Sequence, residues 1–321
     1  MIAKFLLVLS IFFNTFGMSA KSLDFDRQIL SSRSGNESVA AASFNTAIDL
    51  PEIKVPPHVR ANATEPNIYA KNYLLLDSDS NTYLSSQKEN EKVPIASTTK
   101  IMTSVIALEN YKLDDIVTIS STAARQVGLD YTTTTNEQIT VQNLLKVMLI
   151  ISSNRAAYAM AEHMNTGNET GVDKFVALMN EKAKSLGMSS TEYHDPAGLD
   201  TTGWSTASDL SIITKYAMKL PLFAEIVRTP QTTVSSVSGR ISHDLKNSNR
   251  LVSEWNYSGI LGVKTGYMPE ASHCLVAAAK RDGHTLIAII LYTLNDTASA
   301  SAEEARKLLD WGWQNVSWEN N

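Results

Sequence analysis

Cysteine is almost absent from this sequence, which has a single one, Cys274, among 321 residues. An intrachain disulfide is therefore excluded, even in an oxidising compartment. Cys274 begins the apolar run Cys-Leu-Val-Ala-Ala-Ala, which is typical of a β-strand. We interpret it as a buried structural thiol and not as a nucleophile.

Positively charged residues are also fewer than negatively charged ones. The sequence has 28 lysines and arginines and 33 aspartates and glutamates, which gives a net charge of −5. The sequence has neither a basic block nor basic residues interleaved with aromatic ones, so no nucleic-acid partner is expected. Its six histidines are scattered without the spacing of metal ligands. We therefore expect neither a metal nor another cofactor.

Long hydrophobic runs are missing except at the N-terminus. There, Lys4 precedes the apolar run Phe5–Phe13, and Met18-Ser19-Ala20 offers a small-residue cleavage site. This pattern predicts a signal peptide over residues 1–20, with an uncleaved anchor as the alternative. The run is short for a bilayer span. We expect an exported protein, located in the periplasm or elsewhere in the extracytoplasmic cell envelope.

Residues 21–66 are rich in serine, alanine and asparagine, and prolines punctuate their second half. This composition predicts a flexible linker. Periodic apolar segments fill residues 67–321, which we predict to form one folded domain. Most of the helical pattern falls in the middle of that domain, which predicts a helical lobe over about residues 110–235.

The order of strand-like and helical segments predicts the fold class. Two short strands precede the helical middle, and further strands follow it, two of them joined by the turn Arg281-Asp282-Gly283. Ser301 and Glu304 form a capping-box pattern at the start of a closing helix. Strands from both chain ends should complete one antiparallel sheet. The prediction is an α+β fold, an antiparallel sheet flanked by helices with an all-helical lobe.

A serine and a lysine at helical spacing are the first candidates for chemistry. Ser97 and Lys100 lie three residues apart at the start of an amphipathic helical pattern, so their side chains should be neighbours. A serine near the positive end of a helix, with an amine beside it, can become an activated nucleophile. The Ser-x-x-Lys pattern is short and also occurs by chance, so its meaning depends on the rest of the chain.

Two later patterns give Ser97 its context. Ser152-x-Asn154 and Lys264-Thr265-Gly266 follow it in that order, a trio shared by penicillin-binding proteins and class A β-lactamases. A second Ser-x-x-Lys pattern, Ser85 to Lys88, opens no apolar helix, and we exclude it. Order and spacing together make the trio a strong signal.

The chain resembles the D-alanyl-D-alanine carboxypeptidase family of low-molecular-weight penicillin-binding proteins over nearly all of residues 70–313. This resemblance implies a β-lactamase/D,D-peptidase-like fold for a catalytic domain over residues 67–321. It also implies a serine peptidase that acts on peptidoglycan stem peptides and is inhibited by β-lactam antibiotics. Beyond the trio, the matching landmarks are Tyr73-Leu74-Leu75-Leu76-Asp77, Ala96 to Thr103, Pro196-Ala197-Gly198-Leu199, Asn247-x-Asn249-Arg250-Leu251, Gly262 to Tyr267 and Ala305 to Gly312.

The resemblance implies catalytic roles for three side chains. Ser97 would attack the carbonyl between two D-alanines and become an acyl-enzyme, and Lys100 would be its general base. That role requires a partly neutral amine, which burial and the nearby cation Lys264 would favour. Ser152 would relay a proton to the leaving amine.

The remaining site residues would bind substrate. The resemblance implies that Asn154 holds the substrate's amide side, and that Lys264 and Thr265 bind its terminal carboxylate. Gly266 would leave room for the substrate backbone along the strand. The backbone N–H groups of Ser97 and Tyr267 would form the oxyanion hole.

The sequence also departs from the carboxypeptidase pattern. Asn154 is followed by Arg155-Ala156-Ala157, which resembles the penicillin-binding endopeptidases that cut cross-links between stem peptides. Met268 stands where a threonine is usual, and Ser301 stands near the place of a usual arginine. D,D-endopeptidase action is therefore the alternative to carboxypeptidase action, and substrate length stays open.

Two further alternatives are a β-lactamase and a non-catalytic peptidoglycan- or penicillin-binding module. The sequence has no Glu-x-x-Leu-Asn segment between Asn154 and Lys264, which counts against a class A β-lactamase. Both Ser97 and Lys100 are present, which counts against a non-catalytic module. The family's frequent C-terminal β-domain and amphipathic helix are not seen after Trp311, so no C-terminal membrane anchor is expected. The oligomeric state is left open.

Overall fold

The structure is a computed structural model that describes residues 56–128, 130, 133–164 and 170–318. The predicted signal peptide and residues 21–55 of the predicted linker lie outside this range. Among the described helices, none has the length and apolar character needed to cross a membrane.

The described strands are short at the periphery and long in the central sheet. They are β1 (His58–Val59), β2 (Ala70–Asp77), β3 (Thr82–Gln87), β4 (Ile116–Thr118), β5 (Gln138–Thr140), β6 (Gln231–Ser235), β7 (Ser242–Lys246), β8 (Ile260–Met268), β9 (Ser272–Arg281), β10 (His284–Thr293) and β11 (Val316–Ser317).

The described α-helices lie mostly between β3 and β8, and a short 3₁₀ helix, Ala96–Thr99, leads into the first of them. They are α1 (Lys100–Asn110), α2 (Ser121–Ala124), α3 (Val141–Ile150), α4 (Asn154–Glu162), α5 (Gly171–Ser185), α6 (Ala207–Ala217), α7 (Pro221–Val227), α8 (Arg250–Ser253) and α9 (Ala300–Asn315).

One five-stranded antiparallel sheet has the order β3-β2-β10-β9-β8. Strand β2, from early in the chain, pairs with β10 from its end, with Leu76 opposite Ile287. The sheet is thus completed from both ends of the chain, and the predicted α+β fold is confirmed. The turn at Asp282 and Gly283, both with positive φ, joins β9 to β10 as a hairpin.

The two faces of the sheet bury different sets of side chains, because successive residues of a strand point to opposite faces. On β10, Ile287 and Ile289 belong to the core of the helical lobe, whereas Leu286 and Ile290 belong to the core beneath α9. The sheet is therefore covered by helices on both faces, with α1 buried in the larger core.

Side-chain caps fix where several helices begin. Thr140 accepts a hydrogen bond from the backbone N–H of Asn143, and Thr206 accepts one from that of Asp209. Ser153 caps α4 by accepting from the N–H of Ala156. Because α4 starts within Ser152-x-Asn154, this cap sets the position of one part of the trio.

The predicted capping box at Ser301 is wrong. Helix α9 starts at Ala300, and its N-cap residue, Ser299, makes no side-chain cap hydrogen bond. Ser301 is instead buried in the first turn of the helix. Glu304, the other half of the predicted box, accepts a hydrogen bond from the backbone N–H of Tyr69 at 2.8 Å. A tertiary contact therefore uses the carboxylate that a capping box would need.

The packed chain starts before the predicted domain boundary at residue 67. Strand β1 pairs with β11, and the backbone N–H of Arg60 donates to the carbonyl of Asn315. The indole N–H of Trp311 donates to the carbonyl of Thr64 at 2.7 Å. These hydrogen bonds hold the end of the predicted linker against α9. The composition of residues 21–66 gives no sign of them, because their partners lie at the other end of the chain.

Candidate active site

Ser97 lies in the 3₁₀ helix that precedes α1, one turn earlier than the α-helix itself. Ala96, the residue before it, has a positive φ of 45°, and the Thr98 hydroxyl donates to the carbonyl of Ile95 at 2.8 Å. The Ser97 side chain is half-buried. The Ser97 hydroxyl is therefore partly accessible, while its neighbours Ala96 and Thr98 are packed in the core.

The Lys100 side chain is fully buried and meets three oxygen atoms. Its Nζ lies 2.7 Å from Ser97 Oγ, 2.6 Å from Asn154 Oδ1 and 2.8 Å from the carbonyl oxygen of Ala197. The predicted neighbourhood of Ser97 and Lys100 is thus present in the structure. The other two partners come from distant parts of the chain.

These three partners fit a neutral amine. A carbonyl oxygen and an amide oxygen can only accept, so Ala197 and Asn154 take both N–H groups of a neutral Lys100. The nitrogen lone pair is then left for the Ser97 hydroxyl, which can donate to it. When the proton moves to Lys100, the same three contacts serve an ammonium group. Proton transfer therefore requires no rearrangement of the partners.

Burial lowers the pKa of Lys100 from its ordinary value near 10.5 to about 7, and the Asp195 carboxylate opposes that shift. The second buried amine is Lys264, whose pKa lies well below the ordinary value because of burial and then the proximity of Lys100. Two buried amines that repel each other favour the loss of one proton. This supplies the neutral base that nucleophile activation requires.

Lys264 joins the third sequence pattern to the second. Its Nζ donates to Ser152 Oγ at 2.8 Å and to the carbonyl of Thr265 at 2.9 Å. Ser152 adopts a positive φ of 65°, uncommon for a residue with a side chain. The structure thus brings the members of all three patterns together, with Ser152 beside Lys264 and Ser97 beside Lys100.

Asn154 is engaged by protein groups at both ends of its amide. Its Oδ1 accepts from Lys100, and its Nδ2 donates to the carbonyl of Val127 at 2.6 Å. An added Cβ at Gly128 would lie 2.9 Å from that nitrogen, so the glycine permits this close approach. The structure therefore adds a role in holding Lys100, and substrate binding by Asn154 stays a prediction.

Strand β8 carries the last group of predicted residues along the edge of the sheet. Thr265 Oγ1 lies 2.7 Å from Ser248 Oγ, and the N–H of Ser248 donates to the carbonyl of Ile150. Sequence reasoning missed Ser248 as a site residue, although it stands inside the Asn247-x-Asn249 landmark. The Asn247-x-Asn249 landmark could have drawn attention to Ser248, but the pattern leaves its middle position unspecified.

The structure gives a packing reason for the glycine at position 266, and its predicted role in leaving room for the substrate backbone stays a prediction. A Cβ on Gly266 would lie 3.0 Å from the carbonyl oxygen of Ile95 and 3.1 Å from the backbone nitrogen of Ser97. The glycine therefore lets β8 pack against the turn that carries the nucleophile. The same contact brings the N–H of Ser97 near Tyr267, the next residue along, whose side chain is half exposed. The oxyanion role of the two N–H groups stays a prediction.

Cys274 lies opposite Gly266 on β9 and is fully buried. Burial raises the pKa of its thiol to about 12, so the reactive thiolate is not populated at neutral pH. The interpretation of Cys274 as a structural thiol is confirmed.

A candidate cation cluster lies apart from the trio. Asp77, Asp79 and His284 place one ligand atom each within 4.8 Å of one another. Asp77 Oδ1 already accepts from Ser80, and Oδ2 accepts from the Trp318 indole. These bonds explain the buried carboxylate, and we assign no metal to this turn.

Comparison with known proteins shows what the whole chain is similar to. The family model described as D-alanyl-D-alanine carboxypeptidase matches residues 59–295. A D-alanyl-D-alanine carboxypeptidase of Bacillus subtilis is 33% identical over 76% of this chain, which spans 62% of that relative. A D-alanyl-D-alanine endopeptidase of Pseudomonas aeruginosa is 30% identical, covering 80% of this chain and 82% of the relative. The crystal structure of the Streptomyces K15 DD-transpeptidase, 32% identical, covers 78% of this chain and 100% of its own with a TM-score of 0.74.

Proposed function

Because the chain belongs to the D-alanyl-D-alanine carboxypeptidase family, we propose that it removes the terminal D-alanine from peptidoglycan stem pentapeptides. The reaction proceeds through an acyl-enzyme on Ser97. One observation carries this proposal above the others: a buried Lys100 amine whose remaining contact, after Asn154 and Ala197, is the Ser97 hydroxyl. A serine-type D,D-peptidase needs that arrangement.

In the acylation step, Lys100 accepts the Ser97 proton while Ser97 Oγ attacks the carbonyl carbon of the penultimate D-alanine. The negative charge that develops on the carbonyl oxygen is stabilised by the N–H groups of Ser97 and Tyr267. These donors belong to two elements that are packed together at Gly266, which supports their joint role.

Collapse of the tetrahedral intermediate breaks the peptide bond and releases D-alanine. Its amine needs a proton, and Ser152, whose hydroxyl is held by Lys264, relays to it the proton that Lys100 took from Ser97. Lys264 and Thr265 hold the terminal carboxylate, which offers Lys264 a counter-charge for its buried ammonium form. Water then hydrolyses the acyl-enzyme, with Lys100 again the base.

The pH dependence of acylation follows from the pKa of Lys100, about 7. The neutral amine is the active form, so the rate should rise with pH through about 7 and then level off. The measurement is the second-order rate of Ser97 labelling by a fluorescent penicillin between pH 5 and 9. A rate that falls as pH rises through this window would contradict Lys100 as the base.

D,D-endopeptidase action is the second candidate, and the Asn-Arg-Ala-Ala pattern at residues 154–157 favours it. The Arg155 guanidinium donates to the carbonyl of Thr133 at 2.8 Å, which ties α4 to the segment before β5. Arg155 also belongs to the Asn-Arg-Ala-Ala pattern, and relatives named as endopeptidases are 30–32% identical to this chain. A cross-linked substrate carries a bulky leaving group, whereas a pentapeptide releases one amino acid.

The experiment that separates the two activities uses intact, cross-linked peptidoglycan and chromatography of the resulting muropeptides. Carboxypeptidase action shortens pentapeptides to tetrapeptides and leaves dimers intact. Endopeptidase action converts dimers to monomers. An unchanged muropeptide profile, together with no labelling by a fluorescent penicillin, would contradict both activities.

We further propose where the enzyme acts and what blocks it. Signal-directed export would place it in the periplasm or an equivalent extracytoplasmic space, where its peptidoglycan substrate lies. A β-lactam carries an amide that Ser97 can attack, and the resulting acyl-enzyme should hydrolyse slowly. Rapid turnover of nitrocefin would instead favour a β-lactamase.

A further inference from the structure

The loop that follows Asp195 lies directly beneath the catalytic lysine. The carbonyl oxygen of Ala197 accepts from Lys100 Nζ at 2.8 Å, and the carbonyl of Pro196 accepts from the Thr103 hydroxyl at 2.6 Å. Gly198 has a positive φ of 76°, and a Cβ there would lie only 2.0 Å from the carbonyl oxygen of Ala96. The loop thus packs against the nucleophile turn and supplies one of the three partners of Lys100.

A single carboxylate holds this loop in place. Asp195 Oδ1 accepts from the N–H groups of Ala197 and Gly198 at 2.6 and 2.8 Å. Oδ2 accepts from those of Leu199 and Asp200 at 2.9 and 2.7 Å. Asp195 is 7% exposed. Four consecutive N–H groups that would lack a partner converge on one buried side chain, which fixes the direction of the Ala197 carbonyl.

We propose that Asp195 is a positioning residue for catalysis, which holds the Lys100 amine against Ser97 through the backbone of residues 197–200. The proposal rests on the proposed role of Lys100 as the base. Asp195 touches neither substrate nor the reacting atoms, because its carboxylate oxygens are occupied by the loop. It acts through the Ala197 carbonyl and through its negative charge.

The charge of Asp195 gives this role a signature. The charged groups that bear on Lys100 are Lys264 on β8 and Asp195 in the loop. Helix α4 contributes the neutral amide of Asn154 and the phenol of Tyr158, whose pKa is raised to about 12 by burial and then by Asp195. Asp195 stabilises the ammonium form of Lys100. Neutralising it should therefore lower the pKa of Lys100 further.

The test is Asp195→Asn in the full-length protein, followed by labelling with a fluorescent penicillin across pH 5 to 9. An asparagine has one acceptor oxygen and one NH₂ group, so part of the loop's N–H set loses its partner. We expect the plateau rate to fall about tenfold or more, and the acid limb to move to lower pH by about half a unit or more. A residue with only a structural role would not move the limb.

Asp200→Asn is the matched control, because it removes a carboxylate of the same loop that is exposed and bonded to Thr202. Its plateau and acid limb should match those of the wild type. A plateau for Asp195→Asn within twofold of wild type, or an acid limb that does not move to lower pH, would overturn the proposal. Absence of labelling in the wild type would instead overturn the proposed function.

Asp195→Glu provides a second variant should the asparagine variant fail to fold, which circular dichroism would reveal. The longer side chain keeps the charge but displaces the four acceptor contacts. We expect a lower plateau with the acid limb near its wild-type position. A wild-type plateau in Asp195→Glu would overturn the positioning role.

Discussion

Replacement of Ser97 by alanine is expected to abolish labelling by a fluorescent penicillin and to reduce D-alanine release from a pentapeptide about 10⁴-fold or more. The variant keeps Lys100 as the base and Lys264 for binding the substrate carboxylate, but it has no hydroxyl oxygen that can form the acyl bond. Its fold should persist, because the half-buried hydroxyl provides only one of the three partners of Lys100. Labelling, end-point D-alanine release and thermal unfolding measure the three expectations.

Ser85→Ala is the matched control, because Ser85 begins the other Ser-x-x-Lys pattern of the chain. Ser85 is buried on β3, where its Oγ lies 3.2 Å from Glu65 Oε2 and 3.5 Å from the Tyr73 hydroxyl. Its removal should leave the labelling rate unchanged and cost about 1 kcal/mol of stability or less. Labelling that persists in Ser97→Ala, or disappears in Ser85→Ala, would contradict the assignment of the nucleophile.

Replacement of Lys100 by glutamine is expected to lower the acylation rate about 10³-fold or more, since nucleophile and base act as one unit. A glutamine can still hydrogen-bond with Asn154 and Ala197, but its amide nitrogen has no basic lone pair. The rise of the rate through pH 7 should disappear with the titrating amine. Stopped-flow labelling across the pH range measures both effects.

Lys88→Gln is the control for this second substitution. Lys88 is the lysine of the excluded pattern, and its exposed amine pairs with Glu91 at 3.0 Å. A surface pair of this kind contributes about 1 kcal/mol or less, so stability and labelling should both stay near wild type. A Lys100→Gln variant that retains the wild-type rate and pH profile would remove Lys100 from the mechanism.

The comparison of sequence and structure shows which contacts a pattern can predict. Ser97 and Lys100 were predictable as neighbours because three residues make about one helical turn, so local geometry alone brings them together. The completion of one antiparallel sheet from both ends of the chain was predictable because few topologies join two early strands to three late ones. The first inference depends on the spacing of nearby residues, and the second depends on the order of strands and helices along the chain.

Contacts between distant segments were not predictable in the same way. Asp195 stands in a loop that is far from Lys100 in the sequence. Which residue of this loop meets Lys100 depends on how the helices pack, so residue spacing does not predict the contact. The predicted capping box at Ser301 was wrong for a related reason. The carboxylate of Glu304 accepts from the backbone N–H of Tyr69, a residue from the other end of the domain. The close approach of Gly266 to the backbone of Ser97 was likewise not predictable, because only the fold brings the two residues together.

The pairing of β2 with β10 also sets the order of events when the chain is made. Leu76 meets Ile287 across more than half the length of the protein, and such distant pairings form slowly because a long loop must close first. Lys264 reaches Ser152 only when β8 is in place beside β9. A nascent chain therefore cannot assemble its two-lysine centre until its last three long strands have been synthesised. Until then the sheet is incomplete and Ser152 lacks its contact with Lys264.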